Sequence, residues 1–293
     1  MVVNPGPTVT VAKQHDNQLT ALVVGTDDRL HVAWVVDNGP WNGPVVFGDP
    51  VIPFQPDVAM AKQHPNQLTA LTVGNGGQLY AAWVVNNDPW RGPVPVGIGG
   101  LLPPAATVAM DKQHDNQITA VMVGNDGRMH VSWVVDNGPW QGPVPFGGAD
   151  FTAGSAVAIA KQHDNQLTAL AVGNDGRLHV SWVVDNGPWQ GPVAFGGGGL
   201  LPGSHVAMAK QHDNQLTALV VGLDGRFHVA WVVDNGPWQG PVPFGGADFP
   251  AGAGIGMAKQ HDNQLTALAV GNEGRLHVAW VVDDGPWQGP FTI

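Results

Sequence analysis

The sequence contains no cysteine, so it has neither a disulfide framework nor thiol chemistry. It is also poor in charge. Asp, Glu, Lys and Arg make up 12% of the chain, and 12 basic residues face 23 acidic ones, a formal net charge of −11. That balance argues against a nucleic-acid partner, which rewards basic patches. No apolar run approaches the length of a membrane span, and the opening MVVNPGPTVT lacks the basic and apolar regions of a signal peptide. The expectation is therefore no membrane insertion, with residence in the cytoplasm or export by a non-classical route. A helical period is missing as well. No segment sustains apolar residues at 3.6-residue spacing, and 41 Gly and 25 Pro oppose helix. Phosphate-binding glycine loops and the HExxH and GxSxG signatures are absent.

What fills the chain is one stretch repeated six times. Lys-Gln-His starts at Lys13, Lys62, Lys112, Lys161, Lys210 and Lys259, giving spacings of 49, 50, 49, 49 and 49. A period in this range marks a solenoid, propeller or array. The fifth copy, Lys210 to Gly246, shows what one unit folds into. Gln215 to Gly222 and Arg226 to Val233 are rich in Val, Leu, Phe, Thr and Trp and flank Leu-Asp-Gly, which reads as a hairpin. Val206 to Gln211 adds a strand upstream, turned through His212-Asp213-Asn214. Gly240 to Phe244 adds one downstream, where Pro241 and Pro243 confine it to a sheet edge. In the second copy Pro65 fixes the first turn as type I or II.

Each unit is thus a four-stranded antiparallel sheet with two apolar faces. Stacking around an axis buries both faces, so the expected fold is all-β, a six-bladed β-propeller in one domain over residues 1–293. The repeats run approximately 2–48, 49–97, 98–147, 148–196, 197–245 and 246–293. A linear β-solenoid is the alternative, although its rungs are usually shorter. The linkers alternate: Leu101-Leu102-Pro103 and Leu200-Leu201-Pro202 enter units three and five, Ala149-Asp150-Phe151 and Ala247-Asp248-Phe249 enter four and six. Val2-Val3 aligns with the first type, and Val51 to Phe54 loosely with the second. Sites at blade junctions would then fall into two alternating classes.

The pattern of apolar strand, polar turn, strand ending in Gly, Asp-Gly turn, aromatic strand, Trp and Gly-Gly is Val206–Lys210, Leu216–Gly222, Asp224-Gly225, Phe227–Val233, Trp238 and Gly245-Gly246 here. It resembles the repeat of bacterial propeller lectins of the Photorhabdus fucose-binding type, with their tectonin-like relatives. The resemblance covers nearly the whole chain as a pattern of strands, turns and aromatics. Those lectins commonly have seven blades and more aromatics on the third strand. By resemblance, the expected ligands are fucosides or related, including methylated, sugars.

Antiparallel connectivity places the first and third turns at one end of each blade. There an aromatic face and polar forks suit a sugar. The candidate ligand-binding set is His15, His114, His163, His212 and His261 at first turns, with Asp37, Asp136, Asp185, Asp234 and Asp283 at third turns. Trp41, Trp90, Trp140, Trp189, Trp238 and Trp287 follow those third turns. The other six Trp, from Trp34 to Trp280, sit on strand three and read first as inter-blade core. The strand-three histidines His31, His130, His179, His228 and His277 read as interblade hydrogen-bonding groups. One turn His per blade does not assemble a tetrahedral metal site, and the Asn-Asp-Gly turns are too short for a calcium loop. No cofactor is implied, no catalytic residue stands out, and the expected partners are glycans or glycoconjugates.

The leading functional reading is a multivalent, non-enzymatic carbohydrate-binding protein. A natural or engineered interaction scaffold, or a hydrolase or lyase with a central site, are the alternatives. Copy two diverges most: Pro65, Gln78, Tyr80, Asn86, Asp88 and Arg91 replace Asp, Arg, His, Asp, Gly and Gln, so its site should behave differently. Protonating all 12 His takes the formal charge from −11 to +1. Binding or solubility is expected to change between roughly pH 5 and 7.

Overall fold

The structure, a computed structural model, describes residues 9–52 and 57–293. The expectations for Val2-Val3 and for the end of the second linker at Phe54 lie outside these residues. Each of the six repeats is one four-stranded antiparallel sheet with its strands in sequential order, the expected six-bladed β-propeller. The chain divides into two compact units, Met1–Phe146 and Gly147–Ile293, with three blades in each.

Blade 5 illustrates the local logic. Its strands are Val206–His212, Gln215–Val221, Phe227–Val233 and Gln239–Phe244. Proline at both Pro241 and Pro243 is accommodated because the fourth strand is an edge. Between the first two strands, the register shifts between Lys210 and His212. Among the described residues, no first-turn residue has a positive φ, so Pro65 fits the turn of blade 2 without changing it.

Alternation on the central strands buries both faces. Phe227 and Val229 face blade 6, packing with Ala267, Ala269, Phe249 and Trp287. Ala230 and Val232 face blade 4, against Val172, Leu178 and Ala160. Phe227 is fully buried, with its ring 4.3 Å from Phe249 and 5.5 Å from Phe244 between centroids. Burying such a side chain stabilises by about 1.5–3 kcal/mol.

Within each unit the first strands of successive blades pack side by side. Strands in a sheet are spaced about 4.7–4.9 Å apart, so the fourth strand lies roughly 14 Å further out. Blades that meet at their first strands diverge outward, and the wedge between them is where cavities form. The outer margin is pinched shut at one point by Gly245. Its φ is +72°, and a Cβ there would lie 2.1 Å from Pro290 Cδ of blade 6. Only glycine satisfies both demands. Gly97 plays the same part against Pro143 in the other unit.

The linkers plug the opposite end. Ile52, Leu102, Phe151, Leu200 and Phe249 are all buried. Phe151 and Phe249 stand edge-on to His179 and His277, at 5.4 and 5.2 Å. The alternation of linkers therefore belongs to this end and not to the cavities described next. Two alternating classes of junction site do not follow from it.

Candidate carbohydrate site at the blade junctions

The third turns of blades 2, 3, 5 and 6 are fixed from two directions. In blade 6, Asp283 adopts φ 49°, a left-handed conformation that Asp tolerates better than most residues. Its N–H donates to the Asn263 carbonyl at 2.7 Å, tying the third turn to the first turn of the same blade. Its own carbonyl accepts from Gln211 Nε2 of blade 5. Gln211 Oε1 in turn accepts from Thr217 Oγ1 at 2.9 Å and Gln215 Nε2 at 3.2 Å. The same reach across blades links Gln14 to Asn86, Gln63 to Asp136 and Gln162 to Asp234. These glutamines are 2–3% exposed. Truncating one leaves a buried carbonyl without a donor, at a cost of about 1–3 kcal/mol.

This hook presents the Trp that follows the turn to the neighbouring blade. Trp287 stacks on Phe244 at 5.3 Å, Trp238 on Phe195 at 5.2 Å and Trp90 on Phe47 at 5.4 Å. Between that Trp and the strand-three Trp of the preceding blade lies a cavity. At the junction of blades 5 and 6 it measures about 760 Å³, with His212, Asn214 and Trp231 on one wall and Asp283, Asp284 and Trp287 on the other. At blades 2 and 3 it measures about 820 Å³, with His64, Trp83 and Arg91 facing Asp136, Asn137 and Trp140. Cavities of about 550 Å³ at blades 4 and 5 and about 570 Å³ at blades 1 and 2 repeat the paired indoles, Trp182 with Trp238 and Trp34 with Trp90. All four fall in the volume range of small-ligand sites.

Trp34, Trp83, Trp182 and Trp231 of strand three are thus half-buried cavity walls, and Trp34, Trp182 and Trp231 also pack on the inter-blade core, as their apolar strand face reads. The alternation gives the face correctly. It does not give the distance from the axis, and at this radius the wedge is too wide to close over the indole.

Five of the six turn histidines have buried Nε2 atoms. In His15, His64, His114, His163 and His212 this nitrogen has no hydrogen-bond partner among the described residues. His212 Nε2 stands 3.6 Å from Asp284 Oδ1, beyond hydrogen-bond distance. A buried polar atom of this kind is costly unless something bonds to it.

The expected residues come together unevenly. Asp136 and Trp140 meet at the 2–3 junction, His163 and Trp238 at 4–5, His212 with Asp283 and Trp287 at 5–6, and Trp90 lines 1–2. Asp234 enters the 4–5 junction through its backbone carbonyl. His15 lines none of the four cavities, and Trp41 stands 54% exposed on blade 1. Asp37 and His261 are exposed turn residues. His114 sits half-buried on the first turn of blade 3, while Asp185 and Trp189 lie on the third turn of blade 4, exposed and half-buried respectively. Sequence reading missed the Gln hook and the strand-three Trp as site components. The signal for the hook was present: Gln recurs in every Lys-Gln-His and every Asn-Gln-Leu/Ile-Thr.

At the far end of the blade, the strand-three histidines bond within their own hairpin and not across blades. His130 Nε2 donates to Asp126 Oδ1 at 2.9 Å, and the Arg128 N–H donates to the same oxygen at 3.1 Å. His179 with Asp175 and His228 with Asp224 repeat the pair, and Glu273 replaces the aspartate for His277. Burial alone would raise the Asp126 pKa. The His130 imidazole and the Arg128 amide outweigh it and hold the carboxyl below its ordinary 3.8. Blade 2 lacks both partners together, with Gly76 and Tyr80 in their places.

No family model matches this sequence, and no curated relative matches it. Solved structures do. The BP39L lectin from Burkholderia pseudomallei is 39% identical, superposes with a TM-score of 0.93, and is matched over 97% of this chain and 84% of its own. The fucose-recognising six-bladed β-propeller lectin of Aleuria aurantia, at 12% identity and a TM-score of 0.65, covers 98% of this chain and 95% of its own. AofleA from Arthrobotrys oligospora, at 10% identity and a TM-score of 0.70, covers 98% and 86%. The two fungal structures share the fold alone. At 39% identity over nearly its full length, the chain belongs to the family of lectins represented by BP39L.

Proposed function

We propose that this protein is a multivalent lectin whose sites are the junction cavities, each taking one sugar residue between two indoles. The repeated pairing of a strand-three Trp with the post-turn Trp of the next blade, four times over, carries this reading. An indole offers its face to the C–H surface of a sugar and its N–H to a hydroxyl. The ligand-binding residues are those of the expected set that line these cavities, His163, His212, Asp136, Asp283, Trp90, Trp140, Trp238 and Trp287, to which Trp34, Trp83, Trp182 and Trp231 are added.

Fucosides and their methylated relatives are the proposed ligands. Complexes of the Aleuria aurantia lectin with α-methyl-L-fucoside and Fucα1-6GlcNAc, and the Photorhabdus-type repeat pattern, support this class. Several weak sites on one rigid body gain avidity through effective concentration. No unique acid, base or nucleophile breaks the near-repetition of the sites, which supports binding without catalysis. A glycan array with labelled protein, run with and without a chelator, tests the proposal. A coherent set of fucosylated hits, insensitive to chelator, is expected. A blank array from folded protein would contradict it.

A further inference from the structure

One junction differs in kind from the other three. The residue opposite the strand-three Trp on strand four is Gln or Asn in five blades: Asn42, Gln141, Gln190, Gln239 and Gln288 pair with Trp34, Trp133, Trp182, Trp231 and Trp280. Each of these amides folds back on its own turn. Gln190, Gln239 and Gln288 donate to Pro188, Pro237 and Pro286 carbonyls at 3.2 Å, Gln141 to Pro139 at 3.3 Å and Asn42 to Pro40 at 3.4 Å. None of these amides lines a described cavity.

In blade 2 the residue opposite Trp83 is Arg91. Its side chain makes no hydrogen bond or ion pair to any described residue, and it lines the 2–3 cavity beside Trp83. A second change accompanies it. Where blades 1, 4 and 5 stack Phe47, Phe195 or Phe244 under the neighbouring Trp, blade 2 has Val96 beside Trp140. The smaller side chain leaves room, and this is the largest of the four cavities at about 820 Å³. Asp136 is the carboxylate on its wall, held by Asn116 Nδ2 at 3.3 Å, and it forms no ion pair with Arg91. At the 5–6 junction the wall carries two carboxylates, Asp283 and Asp284, and no Arg or Lys.

We propose, building on the lectin reading, that the cavity between blades 2 and 3 binds a sugar carrying a negative charge, a carboxylate or a sulfate, with Arg91 as its counter-ion. A guanidinium presents two parallel N–H donors that match a carboxylate or sulfate edge. Its position across from Trp83 allows the indole to hold the ring while the fork holds the charge. The 5–6 cavity repels the same ligand through its two carboxylates. One chain therefore holds sites of different charge preference.

Calorimetric titration tests this with methyl α-L-fucoside, methyl β-D-glucuronide and galactose 6-sulfate as separate probes. At least one acidic sugar is expected to bind at one equivalent per chain, with affinity falling as salt is raised. Glucuronide against sulfate decides which anion the fork prefers. Arg91→Gln places there the residue that four other blades carry, so its melting temperature should be that of the parent, and acidic-sugar affinity should drop at least about tenfold. Gln190→Arg with Phe195→Val, at a junction whose wall has no carboxylate, should add a second acidic-sugar equivalent. Unchanged acidic-sugar binding in Arg91→Gln, or fucoside binding with neither acidic sugar bound, overturns the proposal. Failure of all three probes overturns the lectin reading itself.

Discussion

Blade 2 and blade 5 follow one repeat pattern and bury the same central strands, yet they face their junctions with different chemistry. Blade 5 stacks Phe244 under Trp287, keeps Gln239 folded on its own turn, and pairs Asp224 with His228. Blade 2 has Val96, an Arg91 side chain with no polar partner among the described residues, and Gly76 with Tyr80 in place of the pair. What the two share is the Gln hook: Gln63 reaches Asp136 as Gln211 reaches Asp283. The difference separates two classes of residue. Those that hold one blade to the next stay fixed, and those that line the outer wedge or close the far hairpin are free to change.

The largest test of that division is in the core. Phe227→Ala in blade 5 removes a fully buried ring from contact with Phe244 and Phe249. A loss of about 3–5 kcal/mol is expected in denaturant unfolding. Leu79→Ala, its counterpart in blade 2, should cost about 2–5 kcal/mol. A negligible effect at either position would show that the wedge extends to the inner strands.

The hook comes next. Gln63→Ala and Gln211→Ala should each cost about 1–3 kcal/mol, and the two costs should agree. Each variant also frees the third turn of the following blade, so sugar affinity at that junction should fall together with stability. If the two costs differ sharply, the hook is not the shared element of blades 2 and 5.

Much of the architecture was legible in the sequence because the repeat supplied six readings of one unit. Strand ends lie within a residue or so of those expected, as with Gln215–Val221 and Phe227–Val233. The grouping of first and third turns at one end also follows from strand count alone, and it placed His212, Asp283 and Trp287 around one cavity. The strand-three Trp could not be assigned from alternation, which fixes a face and carries no information about radius. His228 could not be assigned either. Its partner Asp224 sits four residues back across a tight loop, a contact made by turn geometry and not by strand pairing. Within the repeats the clue lay in the joint loss of Asp and His from blade 2.

The smallest expected effect concerns that pair. Burial tends to raise the carboxyls of Asp126, Asp175 and Asp224, but the imidazole and the amide bonded to each hold them below 3.8. A carboxyl lowered in the folded state contributes stability that is complete above its unfolded value. That contribution drains away as pH falls through the lower folded value, so the window lies below about pH 4. The joint variant Asp126→Asn, Asp175→Asn, Asp224→Asn should lose less stability than the parent between pH 6 and pH 3, read from urea midpoints. Equal losses would show that these pairs do not couple to folding.

Sugar binding by the paired indoles at blade junctions is tested by counting sites. Methyl α-L-fucoside is titrated calorimetrically into the parent protein, Trp231→Ala and Trp287→Ala, with folding checked by thermal melts. Several equivalents are expected on the parent and one fewer on each variant, with no further loss when the two substitutions are combined because both tryptophans wall the same cavity. An unchanged site count in the folded variants, or two equivalents lost in the combination, would contradict it.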